Sequence, residues 1–251
     1  MTVKKIVPCM DIRDGKVVKG VNFEGIRDVA DPVELAKYYN ESGADAVIFY
    51  DIAATVQGRN IFGELLRSVA EAVTIPLIVG GGVATPEDFD RAVEYGAAKV
   101  SINSGAINNP DLIGQVSAKY GSKRVILSMD VKAVGGEYRV FKAAGQVDTG
   151  LDAIEWARTN VAKGAGELVV NSIDTDGVKG GYDMPLLKAV SDAVDVPIVA
   201  SGGAGKMEDF LEVFKAGYAE TGLAASVFHF KEINIGELKK YLAANGISVN
   251  I

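Results

Sequence analysis

The chain has 251 residues, 29 of them Gly and 7 Pro, with a formal net charge of −7 at pH 7. That length allows one large core or two domains, and is also the usual size of a complete eight-stranded α/β barrel. The acidic balance argues against nucleic acid or an anionic membrane as the main partner. A single cysteine, Cys9, and a single histidine, His229, exclude an internal disulfide and a cysteine-based zinc site and nearly remove histidine-based metal sites.

From the N-terminus, the first apolar run passes directly into Asp11, Arg13 and Asp14, which does not suit a signal peptide. No uncharged apolar stretch approaches the length of about 18 residues that a membrane span needs. The expectation is a soluble, cytoplasmic protein.

Val- and Ile-rich runs then recur at 6–12, 46–52, 76–82, 100–103, 125–131, 168–173, 197–203 and 222–226. Near-continuous apolar character without polar alternation marks strands buried on both faces. Amphipathic stretches of helical length alternate with them at 31–42, 62–73, 86–95, 110–120, 152–163, 184–193, 207–216 and 235–244. Asp31-Pro32, Thr85-Pro86 and Asn109-Pro110 each pair a capping residue with Pro at the first helical position. Gly43, Gly96, Gly121, Gly164, Gly217 and Gly246 stand where helices should end. Eight strands alternating with eight helices predict parallel βα units.

A doubly wound open sheet is the rival to a closed barrel, and an internal repeat separates the two. Ile75-Pro-Leu-Ile-Val-Gly-Gly-Gly82 resembles Val196-Pro-Ile-Val-Ala-Ser-Gly-Gly203, an offset of 121 residues (82 to 203). Cys9-Met-Asp11 resembles Ser128-Met-Asp130, an offset of 119 (11 to 130). Asp51 and Asp174, which end the second and sixth runs, are 123 apart. Two half-barrels, about 1–122 and 123–251, explain the spacing, whereas an open sheet has no reason to show it. The fold class is therefore α/β, a single-domain (βα)8 TIM barrel.

Asp11 and Asp130 should stand at the C-terminal mouths of strands one and five, opposite each other across the barrel. One Asp at a strand end often only caps the next loop. A symmetric pair in a chain almost without histidine is the arrangement for a general acid and base. Mg²⁺ is a weaker option, since no further carboxylate motif follows either residue, and no metal or cofactor is expected. Gly81, Gly82, Asn103 and Ser104 form one set of glycines and small polar residues at the strand ends. Asp176, Gly177, Gly202, Gly203, Ala225 and Ser226 form a second. Backbone N–H groups exposed by such turns suit phosphate, and the loops after strands seven and eight are its common place in barrels. A lone Gly-Gly-Gly is no more than a tight turn, but two sets related by the repeat suggest a ligand with a phosphate at each end. Cys9, Asp51, Asn171 and Ser201 complete the pocket. Lys19 belongs to a long connection, 14–30, that reads as a lid without clear structure. As a lone lysine it is equally well a solvated charge. His229 is expected to be an ordinary packed or capping residue.

These residues resemble the cyclase subunit of imidazole glycerol phosphate synthase, of histidine biosynthesis, over essentially the whole chain. The resemblance is carried by Pro8-Cys-Met-Asp-Ile12, Val18-Lys-Gly20 with Asn22-Phe23, Asp31-Pro-Val-Glu-Leu35, Val79-Gly-Gly-Gly82 and Val100-Ser-Ile-Asn103. It continues in Ser172-Ile-Asp174 with Asp176-Gly177 and Gly181-Tyr-Asp183, Ala200-Ser-Gly-Gly-Ala-Gly-Lys206 and Ala224-Ala-Ser-Val-Phe-His-Phe230. It implies a barrel that joins ammonia to a ribulosyl-aminoimidazole carboxamide ribonucleotide carrying two phosphates, with Asp11 and Asp130 as acid/base pair and Lys19 acting from the first loop. It also implies a glutaminase subunit docked at the N-terminal face, supplying ammonia past Lys5, Lys99 and Glu167. Lys5 stands for the family's usual Arg, Ala46 for a Glu and Ala98 for an Asp. At the mouth, Asn171, Thr175 and Val178 stand for a Thr, an Arg and a Thr, Ser104 stands for a Thr, and Tyr50 is bulkier than the usual aliphatic residue. The sister isomerase of the same pathway, and a non-catalytic barrel that binds a bisphosphate, are the alternative readings.

Overall fold

The computed structural model describes residues 2–21, 24–54 and 63–251; the side chains of residues 19–28 lie outside that description. Strands β1 (Lys5–Arg13), β4 (Val47–Asp51), β5 (Leu77–Gly80), β6 (Lys99–Ile102), β7 (Val125–Val134), β10 (Glu167–Ser172), β11 (Ile198–Ser201) and β12 (Thr221–Ala224) pair in parallel in that order. β12 returns to β1, so the sheet closes into a barrel. The connections carry helices α1 (Pro32–Glu41), α2 (Gly63–Ala72), α3 (Pro86–Glu94), α4 (Ser104–Asn108) and α5 (Leu112–Tyr120) in the first half. Helices α6 (Ala153–Lys163), α7 (Met184–Ser191), α8 (Met207–Ala216), α9 (Ser226–His229) and α10 (Ile235–Ala244) follow in the second.

Successive side chains of a strand point to opposite faces, and this divides the core in two. On β4, Val47 and Phe49 join the outer core between sheet and helices, while Ile48 joins an inner cluster along the barrel axis with Val7, Ile78, Ile126, Val169, Val199 and Leu223. Both faces are apolar, which is why the strands read as unbroken runs. In the outer core Phe210 meets Tyr182 edge-on at 5.5 Å and Phe228 at 5.9 Å. Truncating such a fully buried ring costs about 3–5 kcal/mol.

The half-barrel repeat extends beyond the barrel strands. β1 runs on into an antiparallel pair, β2 (Lys16–Val21) and β3 (Glu24–Ala30), and β7 into β8 (Glu137–Lys142) and β9 (Val147–Asp152). The first turns are Asp14-Gly15 and Gly135-Gly136, each with both residues at positive φ, the two-residue hairpin turn whose twist matches the strands. Asp31 then caps α1 by accepting from the N–H groups of Val33 and Glu34, and Asp152 caps α6 through those of Ile154 and Glu155. Both the turns and the caps lie 121 positions apart.

The connection 14–30 is thus paired strand over most of its length rather than a structureless lid, and the equivalent hairpin after β7 was not expected. Thr85 forms a capping box with Asp88 at the start of α3. Asn109 Oδ1 accepts the Asp111 N–H at 3.3 Å, but α5 starts later than Pro110 implies, at Leu112, with Asp111 at the N-cap and no side-chain cap bond of its own. Asp51 does end β4, but β10 stops at Ser172, before Asp174, whose carboxylate accepts the Ala133 N–H at 2.9 Å.

Candidate active site

Parallel closure brings the C-terminal ends of all eight strands to one rim, where an open cavity descends into the barrel. Cys9, Asp11, Tyr50, Asp51, Ser101, Ser128, Asp130, Asn171, Asp176, Lys179 and Ser201 line it, together with Gly81, Gly82, Asn103, Ser104, Gly177, Gly202, Gly203, Ala225 and Ser226. The cavity therefore gathers the expected mouth residues except Lys19. That residue is on β2, with its side chain outside the described residues.

Asp11 and Asp130 come from strands four places apart in the ring of eight, hence from opposite walls. Asp130 is 9% exposed, and both carboxylate oxygens are held by amides. Asn171 Nδ2 donates to Oδ1 at 3.0 Å and Asn103 Nδ2 to Oδ2 at 2.9 Å. Burial pushes its pKa up to about 6 against the pull of those amides, and the charges of Asp176 and Asp11 push the same way. At neutral pH Asp130 is thus ionised but close to its midpoint, ready to take a proton. Asp11 accepts a long contact from Cys9 Sγ at 3.7 Å.

The two glycine turns are built alike. Gly81 and Gly202 have φ of +86° and +85°, and a Cβ on either would meet backbone, at 2.1 Å from the Asp51 carbonyl oxygen and 2.7 Å from that of Ser172. Only glycine fits such a turn, where the chain doubles against the neighbouring strand. Thr175, where the resemblance expects Arg, ties down the second turn by donating to the Gly202 carbonyl at 3.0 Å. Ser104 and Ser226 each open a short helix, α4 and α9, 122 positions apart. The Ala143 N–H donates to Ser104 Oγ at 3.1 Å, so the tip after β8 closes over the first set. Asn103 directs its amide N–H at Asp130 rather than at a phosphate position.

The floor holds three hydroxyls that were not singled out as site residues. Tyr50 Oη lies 3.1 Å from Ser101 Oγ, and its ring fills the space beside Gly80, where a Cβ would come within 2.5 Å of it. Ser128 is the third, and burial pushes the Tyr50 phenol above its ordinary range. Ser101 and Ser128 lie two residues before Asn103 and Asp130, so strand alternation alone would have placed them on the same inward face.

With this geometry in view, the comparisons are direct. The sequence model of the family described as "Histidine biosynthesis protein" matches residues 5–234. The chain belongs to that family. The protein named "Imidazole glycerol phosphate synthase subunit HisF" from Sulfolobus acidocaldarius is 47% identical over 251 residues, the full length of both chains. The family's barrel is the fold observed here; of the motifs that carried the resemblance, Asp11, Gly81-Gly82, Asn103, Asp176-Gly177, Gly202-Gly203 and Ser226 line its cavity, while Asn22-Phe23 lie outside the described residues.

Other expectations fall elsewhere in this histidine-biosynthesis barrel. Lys5, Lys99 and Glu167 open β1, β6 and β10, at the N-terminal end remote from the cavity, where Lys99 and Glu167 form an ion pair across the start of β7. His229 is packed, its Nδ1 at 2.5 Å from Tyr39 Oη. No helix of the described residues is long and apolar enough to cross a membrane.

Proposed function

We propose that this chain is the cyclase subunit of imidazole glycerol phosphate synthase, acting in the cytoplasm. It joins ammonia to a ribulosyl-aminoimidazole carboxamide ribonucleotide, giving imidazole glycerol phosphate, the aminoimidazole carboxamide ribotide and water. The ligand lies across the mouth with one phosphate at the Gly81-Gly82 and Ser104 set and the other at the Gly202-Gly203 and Ser226 set. Backbone N–H groups hold each end, and the reacting middle rests between Asp11 and Asp130. As the new C–N bonds form, the ammonia nitrogen gives up protons. The oxygen that leaves as water gains them, as does the departing aminoimidazole nitrogen. Asp130, ionised at neutral pH, takes a proton, and Asp11 across the cavity is the second carrier. Lys19, on β2, is the further residue that acts on the ligand.

Ammonia comes from a glutaminase subunit docked at the N-terminal end, where Lys5, Lys99 and Glu167 form the entrance. Ala46 and Ala98 reduce the charge of this face relative to the family, so docking is weaker than usual.

The observation that carries the reading is one cavity with carboxylates on opposite walls and matching glycine turns at either side. The test is turnover of the bisphosphate substrate with ammonium salt, in wild type and in Asp11→Asn. Imidazole glycerol phosphate should form in the first and fall by about 10²-fold or more in the second. Equal rates would remove Asp11 from the mechanism, and an inert wild type would end the cyclase reading.

A further inference from the structure

Asp130 is gripped by two amides that are not equivalent. Asn171 Oδ1 accepts a hydrogen bond from Ser201 Oγ at 2.9 Å, so the amide is held from behind with its Nδ2 facing Asp130 Oδ1. The three residues lie level on adjacent strands, with Asn171 paired in register to Asp130 on one side and to Ser201 on the other. Asn103 donates to Oδ2 from the other side, but its own Oδ1 is buried with no hydrogen-bond partner among the described residues. Nothing fixes which way the Asn103 amide faces except the protonation of Asp130 itself.

An amide can turn end for end at little steric cost, exchanging its donor for its acceptor. A carboxylate that takes a proton needs an acceptor for it when buried. Turning Asn171 would set its NH₂ against Ser201 Oγ, so the hydroxyl would have to rotate and its hydrogen would lose its acceptor. Asn103 can supply the acceptor without that loss, and turning would also satisfy its orphan oxygen.

We propose that Ser201 and Asn171 act as a positioning relay that keeps Asp130 Oδ1 a permanent acceptor, so that the catalytic proton rides on Oδ2 and Asn103 turns to accept it. The relay is built from residues of this chain: an amide at 171 has two arms, one for Ser201 and one for Asp130. Among the described residues, the charged and titratable groups that share the cavity with Asp130 are Asp11, Asp51, Asp176, Lys179, Cys9 and Tyr50. The variants below leave all of them in place, so a change in titration reports on the amides.

The experiment is a ¹³C-carboxyl NMR titration of Asp130 in the ligand-free protein, repeated for Asn171→Ala, Asn171→Thr, Ser201→Ala and Asn103→Ala, alongside the pH profile of kcat/KM. The NMR arm does not depend on the substrate, so it stands apart from the cyclase reading. Asn171→Ala removes a donor that binds the ionised carboxylate more strongly than the neutral acid and should raise the midpoint by about one pH unit. Ser201→Ala should raise it by less, and the hydroxyl of Asn171→Thr should bring it back toward wild type. Asn103→Ala removes a donor from the ionised form and an acceptor from the protonated form, so the midpoint should barely move while kcat falls. An unmoved or lowered midpoint in both Asn171→Ala and Ser201→Ala would overturn the relay. A shift in Asn103→Ala as large as in Asn171→Ala would overturn the assignment of the proton to Oδ2.

Discussion

At the N-terminal end of the barrel, Lys239 on α10 reaches under the sheet to Asp45, with both side chains almost fully buried and 2.9 Å between them. Asp45 also accepts the Ile6 N–H at 2.8 Å. Lys99 is paired with Glu167 nearby, and Lys4 lies 3.6 Å from Glu220. At the mouth, Asp11, Asp51, Asp130 and Asp176 converge on one cavity in which, among the described residues, the only lysine is Lys179, itself bound to Glu232. One end spends opposite charges in pairs that hold the last helix and the strand starts together. The other crowds like charges and buries Asp130 so that its ionised form is disfavoured. A barrel separates these tasks because its loops at the two ends do not share residues.

The largest effect should come from removing the crowded charge. Asp130→Asn should lower kcat by about 10³-fold, the contribution of a positioned acid/base group, while making the protein more stable at neutral pH. The sign follows from the direction of the shift. The folded protein binds the Asp130 proton more tightly than the unfolded chain does, so wild-type stability falls as pH rises from the ordinary carboxylate range to about 6 and is level above. The variant escapes this, and its advantage, roughly 3 kcal/mol, should be full above pH 6 and shrink as pH falls below it. The Asn side chain also finds partners: its oxygen accepts from Asn171, and a turned Asn103 accepts from its NH₂. Chemical denaturation of both proteins at pH 4.5 and pH 7.5 reads the effect. A variant less stable than wild type at pH 7.5 would break the contrast between the two ends.

Breaking the pair at the base should do the reverse. Lys239→Met keeps the length of the side chain but leaves Asp45 buried without its partner, which costs about 3–5 kcal/mol. Turnover per folded molecule should be unchanged, because Lys239 lies at the end opposite the cavity. Urea denaturation together with kcat corrected for the folded fraction checks both halves of this statement.

Much of this contrast can be read in the sequence, and what cannot has physical causes. The barrel strands were legible because both of their faces are buried, which leaves unbroken Val and Ile runs. The closed topology was legible because 82 and 203, or 11 and 130, repeat at nearly one offset. The hairpins after β1 and β7 were missed because their strands carry charge at nearly every turn of the pleat, as in Lys16-Val-Val-Lys19 and Glu137-Tyr-Arg139. The signal that marks them is the two-residue turn, Asp14-Gly15 and Gly135-Gly136, between segments of β-branched and aromatic residues. At the site, strand-end position gave Asp11, Asp130 and the glycine turns. The Ser201–Asn171–Asp130 chain was not legible, since it depends on three strands lying level, a matter of register that no single stretch of sequence encodes. Asp45 and Lys239 lie 194 positions apart, and nothing local marks either as buried.

A milder change at the base tests whether exposure, rather than pairing alone, sets the value of these contacts. Lys99 and Glu167 are paired as Lys239 and Asp45 are, but the lysine side chain is 31% exposed against 5%. Water therefore screens the lysine end of the pair, although Glu167 itself is only 8% exposed, close to the 6% of Asp45. Lys99→Met should cost about 1–3 kcal/mol, between the value of an exposed pair and that of a buried one. Ammonium-supported turnover should be untouched, since ammonia from solvent reaches the open cavity without passing this end. A loss as large as that of Lys239→Met would mean that the buried carboxylate left behind, and not the exposure of its partner, sets the cost. A loss of ammonium-supported kcat at unchanged stability would mean that ammonia from solvent also enters past Lys99, and the separation of stability from turnover at the two ends would fail.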